Sequence, residues 1–462
     1  KMKKAILLIL TTLVAFFSNA QQIVFKTESN QVKIIRSDRN TITNWTLLSE
    51  AKPDIYDVFI PKGKTILVKY KSLKDSVSFQ ITSSSVTDFI IIDEKGDSCH
   101  QRIKGYEYIP KAIYSKSFIK ANKDKVDISI PEVYELVSVI IALTQTGESE
   151  NGLVNKDDLY YVRVKDYFKP FMNDTIISEM DKFIKENGEY YLRTNAYAFQ
   201  FSKSGKIERS KVYNRIVYTD DEPNYLLPFV ARLQNFSDKS NFRYFYKKEE
   251  PFYNTRITFM RDSLNYSEMI NWLEKHFPTT RYDYHNIIFS PLTGYNQGMI
   301  WFDYNGFKEL QPHVDFPLPV PPSLVIDNSS KIIYRGEILF TELNHGYVNK
   351  EADKYDKLIS AALENKRDKL ISPDKGRGYY GSASETFKEY MNWALVSLRY
   401  IDYCSEKDLP TLLAMNENYM LKRGFTQFPA FQKFIIELYS NRDKQQNLAG
   451  LYPKIIDWFS KL

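Results

Sequence analysis

The stretch that most constrains this chain is Glu337-Ile338-Leu339-Phe340-Thr341-Glu342-Leu343-Asn344-His345-Gly346-Tyr347-Val348-Asn349. At about 100° per residue, Leu339, Leu343, Tyr347 and Phe340 fall on one side of a helix, the side that would meet a core. Thr341, Glu342, His345 and Ile338 fall on another arc. A hydroxyl, a carboxylate and an imidazole therefore share one face of a mostly apolar helix. The pattern predicts that this helix stops at Gly346 or just beyond it.

With 462 residues the chain can form two or three domains with a large core. Its 43% hydrophobic and 26% charged residues exclude a disordered class. Thirty-four Tyr and 30 Phe predict a strongly aromatic core. The N-terminus reads as a secretory leader over residues 1–20. Lys1, Lys3 and Lys4 form its basic region, Ala5 to Phe17 its apolar region, and Ser18-Asn19-Ala20 its cleavage end. The chain is therefore expected to be exported, periplasmic or secreted. Without those three lysines, 60 basic side chains face 57 acidic ones, too even a balance for a nucleic-acid partner. The leader's apolar run falls short of the ~20 residues that span a bilayer, and no later segment reaches that length, so no integral membrane segment is expected in the mature chain. Cys99 and Cys404 are too few for a disulfide framework and read as two buried free thiols.

The expected fold class is α+β. Residues 21–128 read as a β-rich, sandwich-like domain. Ile66 to Tyr70, Val77 to Ile81 and Asp88 to Ile92 are short β-branched or aromatic runs separated by turn material. Cys99 and His100 are adjacent on a strand, so their side chains diverge and make a poor metal site. Residues 129–462 read as a larger, mainly helical domain opened by Ser129-Ile130-Pro131-Glu132, with Ser129 as cap. Leu136 to Leu143 is nearly all apolar and should be buried on more than one side. Residues 150 to 285 read as helices. Phe242 to Lys248 mixes aromatic and basic side chains, which suits a packed face better than a base-stacking surface given the balanced charge. Ile287-Ile288-Phe289 reads as a strand that could edge a cleft. Pro312 to Pro322 reads as an extended connection leading straight into the Thr341 helix. Pro373 to Gly378 reads as a loop. Ser382 and Glu385 form a capping box that opens a long helix. On that helix Glu385, Glu389, Trp393, Val396 and Tyr400 share one side, so Glu389 is expected on a buried face, where a carboxylate needs a partner, a proton or a metal.

Thr341-Glu342-Leu343-Asn344-His345 is one residue from H-E-x-x-H, in which two histidines on one helical face bind zinc and the glutamate acts as general base. Together with the leader, the β-rich region carrying Pro53-Asp54-Ile55-Tyr56, the segment Ile130 to Leu136, and Glu389-Tyr390-Met391, the chain resembles a bacterial family of exported domain-of-unknown-function proteins with a zincin-like metallopeptidase core. That resemblance implies a zincin-like second domain. It implies Glu342 as catalytic base, His345 as second zinc ligand and Glu389 as third, with Thr341 in the first ligand's position. A neutral hydroxyl is a poor zinc donor, so zinc is expected to be weakly held or absent. The remaining histidines are His100, His276, His285 and His313, of which His313 is the nearest to a substitute ligand. Three functions follow. The first is a pseudo-peptidase whose cleft binds a peptide or protein. The second is a zinc hydrolase of residual activity with Glu342 as base. The third is a non-enzymatic periplasmic or surface binding protein in which the helix match is accidental. In the first case a Thr341→His change is expected to restore metal binding.

Overall fold

The structure is a computed structural model that describes residues 23–28, 31–38, 42–46, 54–108, 110–213, 224–295, 297–317, 320–373, 380 and 382–462. The expected leader at 1–20, Pro53 and positions 374–378 lie outside the described residues. The chain divides into two compact units, Lys1–Ile109 and Pro110–Leu462.

The first unit holds β1 (Val24–Lys26), β2 (Gln31–Arg36), β3 (Ile42–Thr46), β4 (Asp54–Ile60), β5 (Ile66–Lys71), β6 (Ser76–Ile81), β7 (Val86–Ile92) and β8 (Ser98–Glu107). They form two four-stranded sheets, ordered β1-β7-β8-β4 and β3-β2-β5-β6. Alternation sorts the side chains. In β5, Ile66, Val68 and Tyr70 are buried, while Leu67 and Lys71 face out. The inward residues of both sheets make a single core, in which the Tyr70 ring of one sheet lies 4.9 Å from the Phe89 ring of the other. This is the expected sandwich. Cys99 points into it and His100 away from it, and both Cys99 and Cys404 are free thiols.

The division falls at 109/110, ahead of the expected boundary at 128/129. Residues 110–128 include a helix, Lys116–Asn122, and most of β9 (Lys125–Ser129), which pairs in parallel with β12 (Tyr284–Phe289) of the second unit. Ser129 ends that strand and caps nothing. The following helix, Glu132–Leu143, takes Pro131 at its N-cap without a side-chain cap bond. Every residue from Val133 to Leu143 is buried, as its apolar run requires. Within the span expected to be helical, β10 (Phe199–Phe201) and β11 (Ile207–Arg209) form a small hairpin.

The main sheet of this unit is ordered β13-β14-β12-β9, with β13 at Gly298–Tyr304 and β14 at Phe307–Val314. Three strands run parallel, and β13 runs antiparallel to β14 along one edge. A two-residue turn, Asn305-Gly306, joins β13 to β14, with φ 53° and 82°. Pro312 belongs to β14 and not to a loose connection. It sits opposite Met299, and the β12–β14 register is interrupted at Gln311 and Pro312, where the proline has no N–H to give. In the chain a further helix, Asn328–Arg335, comes between β14 and the Thr341 helix, so the proline stretch does not lead straight into it.

The Thr341 helix runs Glu337–Lys354, well past Gly346. Gly346 lets the helix lie close on the sheet. A Cβ there would stand 2.7 Å from Leu310 Cδ1 of β14 and 3.0 Å from Tyr282 Oη. Leu339, Phe340, Leu343 and Tyr347 are all buried, as the apolar arc predicts. The helix packs against a second one, Ala383–Tyr403, which opens with the expected capping box of Ser382 and Glu385. Phe387, Tyr390 and their ring neighbours Phe425, Phe431 and Phe459 anchor that second helix to the C-terminal helices. Among the described residues, no helix is long and apolar enough to cross a membrane.

Candidate functional site

The two packed helices set their polar faces side by side. Thr341, Glu342 and His345 from one, and Glu389, Asn392 and Trp393 from the other, line one cleft of about 890 Å³. His345 Nε2 stands 3.8 Å from Glu389 Oε2. The two segments that the sequence singled out, some forty positions apart, therefore meet. Glu385 does not compete for this place, since its carboxylate is spent on the Ser382 cap.

Glu389 is held from three directions. Arg423 Nη2 donates to its Oε1 at 2.6 Å, Trp393 Nε1 donates to the same oxygen at 3.0 Å, and His345 faces the other oxygen. Burial works to raise the pKa of Glu389. The charge of Arg423, then that of His345, and the hydrogen bonds from Arg423 and Trp393 outweigh it and hold the carboxylate below its ordinary value. Arg423 follows the helix Leu409–Lys422 and is fixed among four rings, those of Trp393, Tyr419, Tyr380 and Phe425, at 5.3 to 5.6 Å. It also bonds the Tyr380 hydroxyl.

His345 is fixed as well. Asn392 Nδ2 lies 2.8 Å from Nε2, and Asn349 Oδ1 lies 3.4 Å from Nδ1. Thr341 donates its hydroxyl to the Ile338 carbonyl at 2.7 Å, the usual local bond of a helical threonine, and makes a longer contact of 3.4 Å to Glu342 Oε1 in the cleft. Glu342 is buried, and burial pushes its pKa up to about 7, with the negative charge of Glu389 adding to the rise and His345 opposing it. Asp315, just past β14, lines the same cleft, and desolvation with the nearby Glu342 pushes it up to about 8.

The sequence did not point to Arg423, Asp315 or Asn392. Asn392 could have been found, because it lies three residues beyond Glu389 on the same helix. Arg423 and Asp315 follow unrelated elements and carry no spacing signal. His313 lies away from the cleft, buried, with Nε2 at 2.9 Å from Gln311 Oε1. His100, His276 and His285 are not cleft residues either. Among the described residues, no group of three or more His, Cys, Asp or Glu side chains is disposed to hold a metal ion.

One wall of the cleft is formed by Gly298, Met299 and Trp301 of β13. The strand suggested by sequence for that place, β12, is interior and paired on both sides, which explains its continuous apolar run. Among the described residues β13 is paired on one side only. Its pair Tyr304 and Phe307 flanks the two-residue turn, and such pairs exchange both backbone bonds. By alternation, the backbone groups of Met299, Trp301 and Asp303 face the open edge. Comparison of the chain with protein-family models, with curated proteins and with solved structures returned no match.

Proposed function

We propose that the second unit is a zincin-like, peptide-binding domain of a pseudo-peptidase, exported as its leader suggests, whose cleft receives an extended peptide along β13 without zinc-dependent hydrolysis. The observation that carries this reading is the meeting of His345 and Glu389 at 3.8 Å in a cleft walled by β13, whose outer edge is unpaired among the described residues. An open edge offers a row of backbone donors and acceptors to an added strand, and the adjoining cleft gives room for alternate side chains.

The donor set argues against zinc on three counts. One imidazole and one carboxylate are a ligand short of the three that a catalytic zinc needs, and Thr341 gives its hydroxyl to the helix backbone. His345 Nε2 is already paired with Asn392 Nδ2 at 2.8 Å. A guanidinium already neutralises Glu389. Glu342, the base of the resembled motif, lines the cleft together with Asp315, whose carboxyl feels its charge, and such a pair suits recognition of a peptide amide or amine.

The reading is tested by screening the mature chain against a fluorescent peptide library by polarisation, with and without chelator. Saturable micromolar binding with the peptide recovered intact supports it. Cleavage that the chelator abolishes would establish the residual hydrolase instead, and absence of binding to any extended peptide would remove the proposal.

A further inference from the structure

In this cleft Glu389 faces a positive charge at 2.6 Å, but that charge belongs to Arg423. The guanidinium is not a loose surface group. Four aromatic faces hold it, and the Tyr380 hydroxyl takes one of its N–H bonds. A zinc ion binds an imidazole nitrogen and a carboxylate oxygen at about 2.0–2.2 Å each, which sets two tetrahedral ligands about 3.4 Å apart. His345 Nε2 and Glu389 Oε2, at 3.8 Å, are close to that span. The helices therefore still present near-metal geometry, while the electrostatic demand of the carboxylate is met by the protein itself. A divalent ion arriving there would have to displace the Arg423 pair or sit beside a fixed positive charge in a recessed site, where repulsion is poorly screened.

We propose that Arg423 is a built-in cation that stands in for the metal at Glu389 and closes this site to divalent ions. Thr341 is then not the sole lesion of the zinc motif, and restoring a histidine there does not restore metal binding. The inference rests on the zincin-like reading of the two helices. It extends that reading by naming the residue that keeps the cleft metal-free.

The test is calorimetric titration of Zn²⁺ alone into the full chain carrying Thr341→His, Thr341→His with Arg423→Met, or Thr341→His with Arg423→Lys. The expected result is one zinc per chain in the Arg423→Met double variant, bound at least ~100-fold more tightly than in Thr341→His alone. The Arg423→Lys double variant keeps the charge and is expected to stay as weak as the single variant. Equal affinities in Thr341→His and its Arg423→Met double, tight or weak, would overturn the inference. The single variant leaves Arg423 untouched, so submicromolar zinc binding by Thr341→His refutes the inference even if the double variant fails to fold. Peptide binding by the wild-type chain is measured separately: its absence beside the expected zinc pattern removes the peptide reading and leaves the Arg423 assignment standing.

Discussion

His345 and Glu389 belong to different helices and meet with Nε2 and Oε2 3.8 Å apart. The contact is made possible by close packing at two levels. Gly346 lets the first helix lie on β14, and Asn344 Nδ2 donates to the Asn392 carbonyl at 3.1 Å, fixing the second helix against the first. The cleft geometry is thus a property of the packed core.

Gly346→Ala is expected to destabilise the fold despite a gain in helix propensity. Alanine is preferred over glycine in a helix by about 1 kcal/mol. The new Cβ would stand 2.7 Å from Leu310 Cδ1, in a residue with no exposed surface to move into. Overpacking of this kind costs about 1–3 kcal/mol. Chemical denaturation should therefore show a net loss, and a gain in stability would contradict the close approach.

Arg423→Met should cost about 2–4 kcal/mol, because it leaves the buried Glu389 carboxylate without its charge partner while Arg423 itself keeps some solvent contact. Adding Glu389→Met should recover part of that loss. The check is a double-mutant cycle in urea, and strictly additive costs would show that the two side chains do not depend on each other.

A proline at the open edge separates binding from folding. Met299 turns its backbone toward the unpaired side of β13, so Met299→Pro removes a donor that a bound peptide would use and no ladder bond to β14. Peptide affinity should fall at least ~10-fold with the melting temperature nearly unchanged. Retained affinity would place the peptide elsewhere in the cleft.

Stability should carry an alkaline penalty from the core carboxyls. Glu309 is fully buried and bonded by Tyr114, Tyr213, Asn286 and Gln311, and burial pushes its pKa up to about 7. A group raised in this way binds its proton in the folded chain and not in the unfolded one between about pH 4.5 and 7. Its contribution is present below that window and lost as pH rises through it. His313 and His276 are depressed by burial and act in the opposite sense. The difference between wild type and Glu309→Gln isolates the carboxyl: the variant's relative stability should rise from pH 5 to pH 8. A flat difference would mean that Glu309 titrates normally.

Much of the site was legible in the sequence. The arc of Thr341, Glu342 and His345 is local helical geometry, and the Glu389 face follows from the Ser382 capping box and the 3.6-residue period. What escaped is non-local. Residues 110–128 look like more of the β-rich region until β9 is seen to pair with β12, far along the chain, and no local pattern announces that pairing. Pro312 reads as a strand breaker, yet β14 tolerates it by giving up register with β12. Arg423 reaches Glu389 only through the packing of a third helix, so it has no fixed spacing from the motif it neutralises.

The central claim is a cleft that keeps zincin-like geometry and takes a peptide without zinc. Its most direct test is a Zn²⁺ titration of the wild-type chain and of His345→Ala, with peptide binding followed in the same samples. The account predicts no stoichiometric zinc uptake by either protein and peptide binding by the wild type that added zinc leaves unchanged. One tightly held zinc per wild-type chain, lost in His345→Ala, would contradict it.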